Sequence, residues 1–135
     1  MDHIDQHIIE HLQHNGRITM KELGEKVHLT GQATATRVAR LEEQGIIEGY
    51  TIRTDPARLG YPVHVFLTII TQSLHHQPYL SFIDSRPQYV VANYKISGKG
   101  CYLLECRFPS NTELDRFLVE LNQYVNYQLS IVVSK

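Results

Sequence analysis

Apolar residues in the N-terminal third of the chain recur at intervals of three and four, which predicts three short amphipathic helices. The first begins at Asp2 and carries Ile8 and Leu12 on its apolar stripe. The run at 19–22, Thr-Met-Lys-Glu, has the pattern of a capping box and opens the second helix. Thr30 has a side-chain oxygen that can cap the third. Three short helices at this spacing predict a helix-turn-helix unit.

The third predicted helix has two unlike faces. Thr34, Val38 and Leu41 recur at i, i+4 and i+7, which predicts that they pack inward. The opposite face carries small, hydrogen-bonding or cationic side chains, which can approach a phosphate backbone and reach base edges. A helix with a solvated polar face has the same pattern, but the two preceding helices favour DNA binding. With Lys21 of the second helix, the expected DNA contacts are Thr30, Gln32, Ala33, Thr36, Arg37 and Arg40.

The segment after the third helix predicts a domain boundary. Residues 50–54 alternate and are rich in β-prone types, which predicts a linking strand. Asp55-Pro56 and the Gly60-to-Pro62 stretch then break regular structure. We therefore predict a winged or wing-like helix-turn-helix domain over 1–49, a linking strand and connector over 50–62, and a second domain over 63–135.

The second domain has a different rhythm. Strands are predicted over 63–71, 89–96 and 101–108, with a final alternating strand over 127–133. One helix is predicted before Arg86-Pro87, and a second follows the capping box that begins at Ser110. The order βαββαβ is typical of a ferredoxin-like sandwich. The fold class expected for the whole chain is α+β.

Apolar residues occupy both alternating registers of the predicted strands. In the first strand Val65, Leu67 and Ile69 form one register, and Phe66 and Ile70 belong to the other. Helices cover only one face of a ferredoxin-like sheet, so the other face is predicted to expose an apolar patch. We expect that face to bind a second copy of the chain about a two-fold axis.

The charge of the chain does not by itself indicate a nucleic-acid partner. The net charge is −1, and residues 1–60 hold seven Lys or Arg against nine Asp or Glu. Between Arg17 and Arg40, however, five basic residues face only two acidic ones. Binding is therefore expected to need several DNA-binding units at once. No apolar run could span a membrane and no leader is evident, so a cytoplasmic, nucleoid-associated protein is expected.

Histidines form a stripe on the first predicted helix. Spacing of this kind can hold a metal ion, but no cysteine or carboxylate completes a set, so we predict a solvated face and no metal or cofactor. A third possibility is that protonation of the stripe strengthens attraction to phosphate in mildly acidic buffer. The stripe consists of His3, His7, His11 and His14.

Two cysteines raise the alternative of an enzyme. Cys101 and Cys106 lie five positions apart on one predicted strand, on opposite faces, so we expect reduced thiols rather than a disulfide. Either thiol could be imagined as a nucleophile with His64 as its base, but no spacing supports the pair. The sequence predicts no catalytic residues and a non-enzymatic protein.

Taken together, these motifs resemble the leucine-responsive regulatory protein/AsnC (Lrp/AsnC, feast/famine) family of transcriptional regulators along nearly the whole chain. The resemblance implies a dimer, commonly assembled into tetramers or octamers, that binds and often bends promoter DNA. It also implies a ferredoxin-like domain that binds an amino acid between subunits near the hairpin turn. The residues that carry the resemblance are Ile4-Asp5, Ile8-Ile9, Asn15-Gly16-Arg17-Ile18, Glu22-Leu23-Gly24, Arg37-Val38, Leu41-Glu42, Gly45 to Tyr50 and Leu59-Gly60.

The effector site implied by the resemblance comprises Ser97, Gly98, Gly100 and Cys101. Family members that bind amino acids typically carry an Asp where this chain has Cys101. A thiol cannot replace the charge-assisted hydrogen bond of that carboxylate to an ammonium group, which is worth about 1.5–3 kcal/mol, roughly tenfold or more in affinity. Two functions stay open: a sequence-specific regulator modulated by an amino acid, and an architectural, weakly specific DNA-bending protein that has lost amino-acid sensing.

Overall fold

The computed structural model describes all residues from 1 to 135 and divides into two compact units, Met1–Arg53 and Thr54–Lys135. The division lies inside the connector predicted over 50–62. None of the helices in either unit combines the length and the apolar composition needed to cross a bilayer.

Three capped helices build the N-terminal unit. The Asp2 carboxylate accepts a hydrogen bond from the Asp5 N–H, and Asp5 accepts one in return from the Asp2 N–H. Thr19 and Thr30 cap the next two helices through the N–H groups of Glu22 and Ala33. Each predicted N-cap is therefore confirmed. The helices are α1 (His3–His14), α2 (Met20–Val27) and α3 (Gly31–Glu43).

A small apolar core joins these helices. Thr34 is buried within it and donates to the Thr30 carbonyl oxygen at 2.8 Å, which satisfies its hydroxyl. A Cβ on Gly24 would lie 2.6 Å from the Leu29 carbonyl oxygen, so α2 and α3 can pack this closely only around a glycine. The turn between the two helices places His28 in the left-handed region, at φ 61°. The core residues are Ile8, Ile18, Leu23, Val27, Val38 and Leu41.

The linking strand predicted over 50–54 does not form. This stretch has no regular structure, and Ile52 is 79% exposed. A strand requires a neighbouring chain segment to satisfy its backbone groups. No segment of the unit pairs with residues 50–54, so the local preference for β structure is not realised and the unit contains helices as its only regular elements.

The C-terminal unit forms the predicted βαββαβ arrangement. Its four strands make one antiparallel sheet in the order β2-β3-β1-β4, which is the ferredoxin-like topology. The predicted strands are each one or two residues too long, because Thr71, Tyr89, Cys101 and Val133 lie beyond the paired segments. The elements are β1 (Val63–Ile70), α4 (Gln77–Asp84), β2 (Val90–Lys95), β3 (Tyr102–Phe108), α5 (Asn111–Leu121) and β4 (Asn126–Ile131).

The two faces of the sheet differ as the alternation predicted. Val65, Leu67 and Ile69 are fully buried against the aromatic and aliphatic side chains of α4 and α5. The opposite register of β1 is only half-buried. The residues of β3 that pair with this register, and the residues of β2 that pair with those of β3, lie on the same face of the sheet. We call this second surface the open sheet face. It comprises His64, Phe66, Thr68, Ile70, Ala92, Tyr94, Leu103, Glu105 and Arg107, together with Asn126, Gln128 and Ser130 of β4.

Candidate nucleic-acid interface

The polar face of α3 is exposed along the length of the helix. Gln32, Ala33, Thr36 and Arg40 all lie at the surface of the unit, opposite the core positions. The Thr36 hydroxyl donates to the Gln32 carbonyl oxygen at 3.1 Å, which leaves its lone pairs free to accept. The structure therefore brings these four predicted residues together on one continuous surface.

Two alanines complete this surface, and sequence reasoning missed both of them. Ala35 and Ala39 are exposed beside Gln32 and Thr36. Their small side chains allow the helix backbone to approach a partner closely. The repeat of Ala35 and Ala39 at i, i+4, next to the repeat of Gln32 and Thr36, was the signal in the sequence.

The start of α2 lies against the start of α3. A Cβ on Gly31 would lie 3.5 Å from the Lys21 Cα atom, and the Lys21 and Thr30 side chains are exposed. Unlike α1 and α2, α3 has no acidic residue in its first turn. Free N–H groups and the helix dipole attract anions to such an end. Lys21 therefore adds a cation next to a helix terminus that already favours a phosphate.

Arg37 differs from the other predicted contacts because its guanidinium is already paired. Its Nη1 atom lies 2.7 Å from Oδ2 of Asp2, the N-cap of α1, and 3.1 Å from Oδ1 of Asp5 in the first turn of α1. Only 24% of the Arg37 side chain is exposed. The sequence predicted Arg37 as a DNA contact and indicated Asp2 only as the residue that begins the first helix.

The ion pair changes the acidity of its members. The hydrogen bond from Arg37, reinforced by the Asp5 N–H, lowers the pKa of the Asp2 carboxyl to about 2. The same contacts with Asp2 and then Asp5 raise the pKa of the Arg37 guanidinium. The cluster pairs two carboxyl groups with one guanidinium, so its formal charge is −1.

The hairpin between β2 and β3 holds the predicted effector residues. Ser97 and Gly98 are exposed, and Gly98 and Gly100 have φ of +90° and +96°. A Cβ on Gly100 would lie 2.7 Å from Thr68 Cγ2, so a glycine is needed where the hairpin meets β1. The Cys101 N–H donates to the Ile69 carbonyl oxygen at 2.7 Å, which fixes the hairpin end to β1.

Cys101 sits at one end of a chain of hydrogen-bonded side chains. Its Sγ atom lies 3.0 Å from the Thr71 hydroxyl, which lies 3.1 Å from His76 Nε2. His76 Nδ1 lies 3.0 Å from the Tyr102 hydroxyl. The hydrogen bond from Thr71 lowers the pKa of the Cys101 thiol. A thiol that is hydrogen-bonded within the fold therefore occupies the position where the resemblance implies a carboxylate.

The residues considered in the sequence for catalysis and for metal binding do not come together in the structure. His64 pairs with Glu105 at 2.6 Å on the open sheet face, whereas Cys106 lies on the helix-covered face, where burial raises its thiol pKa to about 12. The His3 and His7 rings have centroids 4.4 Å apart, but no three His, Cys, Asp or Glu side chains converge on one metal position.

Comparison with known proteins agrees with this geometry. A family model described as winged helix-turn-helix DNA-binding matches residues 1–48. The HTH-type transcriptional regulator LrpA of Bacillus subtilis is 54% identical over 135 residues, which are 100% of this chain and 99% of that protein.

Solved structures show the same fold across both units. The structure of Bacillus subtilis LrpC superposes with a TM-score of 0.92 at 30% identity and covers 100% of this chain and 96% of that one. The structure of Escherichia coli AsnC has a TM-score of 0.88 at 26% identity, with 100% and 93% covered. The chain belongs to the Lrp/AsnC family and is a helix-turn-helix DNA-binding transcriptional regulator.

Proposed function

We propose that α3 enters the major groove of promoter DNA with its exposed polar face. The observation that supports this most is the continuous surface of small and hydrogen-bonding side chains, bordered by cations and free of acid in the first turn of the helix. Arg40 and Lys21 neutralise phosphates, while Gln32 and Thr36 reach base edges. Thr30 and Ala33 line the N-terminal part of the contact surface.

Gel shifts on the DNA upstream of the protein's own gene test this assignment. Arg40→Ala is expected to weaken binding to every duplex, whereas Gln32→Ala or Thr36→Ala should reduce discrimination against base changes by about 1–3 kcal/mol. His7→Ala, at an exposed position of α1, is the matched control and should bind like the wild type. Unchanged binding by all three α3 variants would show that another surface contacts DNA.

We further propose that the protein acts as a dimer formed through the open sheet face. Phe66, Ile70 and Leu103 give this face an apolar centre that water only partly covers. His64 and Glu105 lie beside that centre and are hydrogen-bonded to each other within one subunit. Two DNA-binding units in one dimer supply the multivalency that a chain of net charge −1 requires. Tetramers or octamers would be built from such dimers.

Analytical ultracentrifugation tests the dimer. Phe66→Glu inserts a charge into the apolar centre and should yield monomers, with a large loss of DNA affinity. Val119→Glu, on α5 at a side chain 63% exposed, is the control and should leave the assembly unchanged. A Phe66→Glu protein that keeps the mass of the wild type would contradict the assigned interface.

A second function is favoured by Cys101: an architectural, weakly specific DNA-bending protein without an amino-acid effector. The thiol is already hydrogen-bonded to Thr71 and is not the carboxylate that pairs with an ammonium group. The protein should then bind its own upstream DNA and a scrambled duplex with similar affinity at equal salt, and none of the twenty amino acids, tested singly, should change binding. A response of the wild type to a small amino acid would instead support the regulator with an effector.

A further inference from the structure

The ion pair between α3 and α1 has an unusual asymmetry. Both carboxylates contact the same atom, Nη1 of Arg37. Asp5 is nearly buried, with 8% of its side chain exposed, while the Asp2 side chain is 55% exposed. These contacts join residues 32 and 35 positions apart in the sequence, so they link two helices rather than stabilise one.

We propose that Asp2 and Asp5 make Arg37 a positioning residue, which orients α3 against α1 and is withheld from DNA phosphates. This inference rests on the proposed function, in which α3 is the helix that contacts DNA. It reverses the sequence expectation for one residue of the contact surface. It also adds Asp2, the N-cap of α1, and Asp5 of α1 to the residues on which DNA binding depends.

The cost of releasing Arg37 supports this role. Moving the guanidinium to a phosphate would leave the Asp5 carboxylate nearly buried without its cation, which is strongly unfavourable. The gain would be one more surface contact to phosphate in water and salt, which is small by comparison. Arg37 is therefore expected to keep its carboxylates when DNA binds.

Arg40 is the natural comparison within the same helix. It lies three residues beyond Arg37, is exposed and takes part in none of the ion pairs of the structure. Both residues carry one positive charge, so any difference in their effect on DNA binding reports what each guanidinium contacts. The two arginines thus form a matched pair.

The salt dependence of DNA affinity separates the two roles. Each cation that neutralises a phosphate contributes about 0.9 to the slope of log K against log salt. We would measure this slope with full-length protein and the duplex upstream of its own gene, for wild type, Arg37→Gln and Arg40→Gln. Arg40→Gln should flatten the slope by about 0.9. Arg37→Gln should keep the wild-type slope, with affinity lowered up to about tenfold at every salt concentration.

Controls exclude a simple loss of folding. Each protein is measured well below its unfolding temperature, and Arg37→Lys restores a donor that can reach both carboxylates from one nitrogen, so it should recover affinity. A double-mutant cycle of Asp2→Asn with Arg37→Gln, followed by thermal unfolding, should show coupling between the two residues.

Two results have distinct meanings. If Arg37→Gln flattens the slope as much as Arg40→Gln does, Arg37 contacts phosphate and the inference is wrong while the proposed DNA surface stands. If Arg40→Gln leaves the slope unchanged, the proposed DNA surface itself is wrong, and the role of Arg37 toward DNA falls with it.

Discussion

The helical unit and the sheet unit of this protein are stabilised in different ways. Six buried apolar side chains form the core of the N-terminal unit. Each of its helices begins at a side-chain cap that accepts a hydrogen bond from an N–H only three residues further along the chain. Fourteen residues form the core of the C-terminal unit, where strands distant in sequence pair with each other. The smaller core leaves the DNA-binding unit dependent on a few close contacts, so single changes there should have disproportionate effects on DNA binding.

The largest effect on the free energy of unfolding is expected from a substitution in the core of the sheet unit. Phe117 is buried, and its ring packs against those of Phe82 and Phe108 at centroid distances of 5.3 and 5.1 Å. Phe117→Ala should destabilise that unit by about 3–5 kcal/mol through lost burial and a cavity. Hydrogen exchange read by mass spectrometry should show faster exchange in residues 54–135. Val119→Ala, at an exposed position of the same helix, is the control.

If Phe117→Ala accelerates exchange equally in residues 1–53, the two units unfold as one cooperative body, and the contrast between them does not extend to their stability.

A substitution at Gly24 tests how far the stability of the helical unit depends on the close approach of α2 and α3. A Cβ there would lie 2.6 Å from the Leu29 carbonyl oxygen and 3.0 Å from Thr34 Oγ1, so α2 and α3 must move apart. Gly24→Ala should cost about 1–3 kcal/mol of unfolding free energy. DNA affinity should fall with it. Gly49→Ala, which has open space around it, is the matched control. Equal stability of the two variants in thermal unfolding would refute the close approach.

A substitution at His28 is expected to increase, rather than decrease, the stability of the helical unit. It is the one non-glycine residue with positive φ, which is unfavourable for an L-residue with a side chain. His28→Gly should relieve this strain and stabilise the helical unit by up to about 1 kcal/mol, as measured by urea unfolding, because part of the gain is offset by the entropy of the unfolded glycine. A lower denaturation midpoint would show that the His28 side chain makes a stabilising contact.

The smallest expected effect is a pH dependence confined to the helical unit. Arg37 lowers the pKa of Asp2 from its usual value, about 3.9, to about 2. The contribution of this pair to stability is therefore complete above about pH 4 and is lost as the pH falls toward 2. Thermal unfolding should show the loss in wild type and less of it in Asp2→Asn. Glu10→Gln, on α1, is the control and should lose stability at low pH as the wild type does. The same loss in Asp2→Asn would show that Asp2 does not stabilise the fold.

The sequence predicted those parts of the fold that depend on neighbours in the chain. Side-chain caps such as Asp2, Thr30 and Ser110 begin helices where expected, since each bonds an N–H three residues away. The strand alternation also divided the residues of β1 correctly between two faces, although only the structure shows that Val65, Leu67 and Ile69 face the helices. The strand predicted over 50–54 was wrong because a strand depends on a partner segment, which local preference does not report.

The sequence predicted which residues lie on the candidate DNA surface, but it did not predict which of them form ion pairs. The exposed face of α3 follows from helical periodicity, so Gln32 and Thr36 were found directly. The partners of Arg37 were not, since Asp2 and Asp5 lie more than thirty residues away and have a sufficient local explanation as helix caps. In the same way, Cys101 contacts Thr71 because β1 and β3 pair in the folded chain, although the two residues are 30 positions apart in the sequence.

Photocrosslinking from a single position tests the central claim most directly. A benzophenone side chain placed at Thr36 on α3, or at His7 on α1, reports whether duplex DNA lies within a few ångströms of that position. The structure predicts efficient crosslinks to the upstream duplex from position 36 and few from position 7. Efficient crosslinking from position 7 with none from position 36 would contradict the assignment of α3 as the DNA-contacting helix.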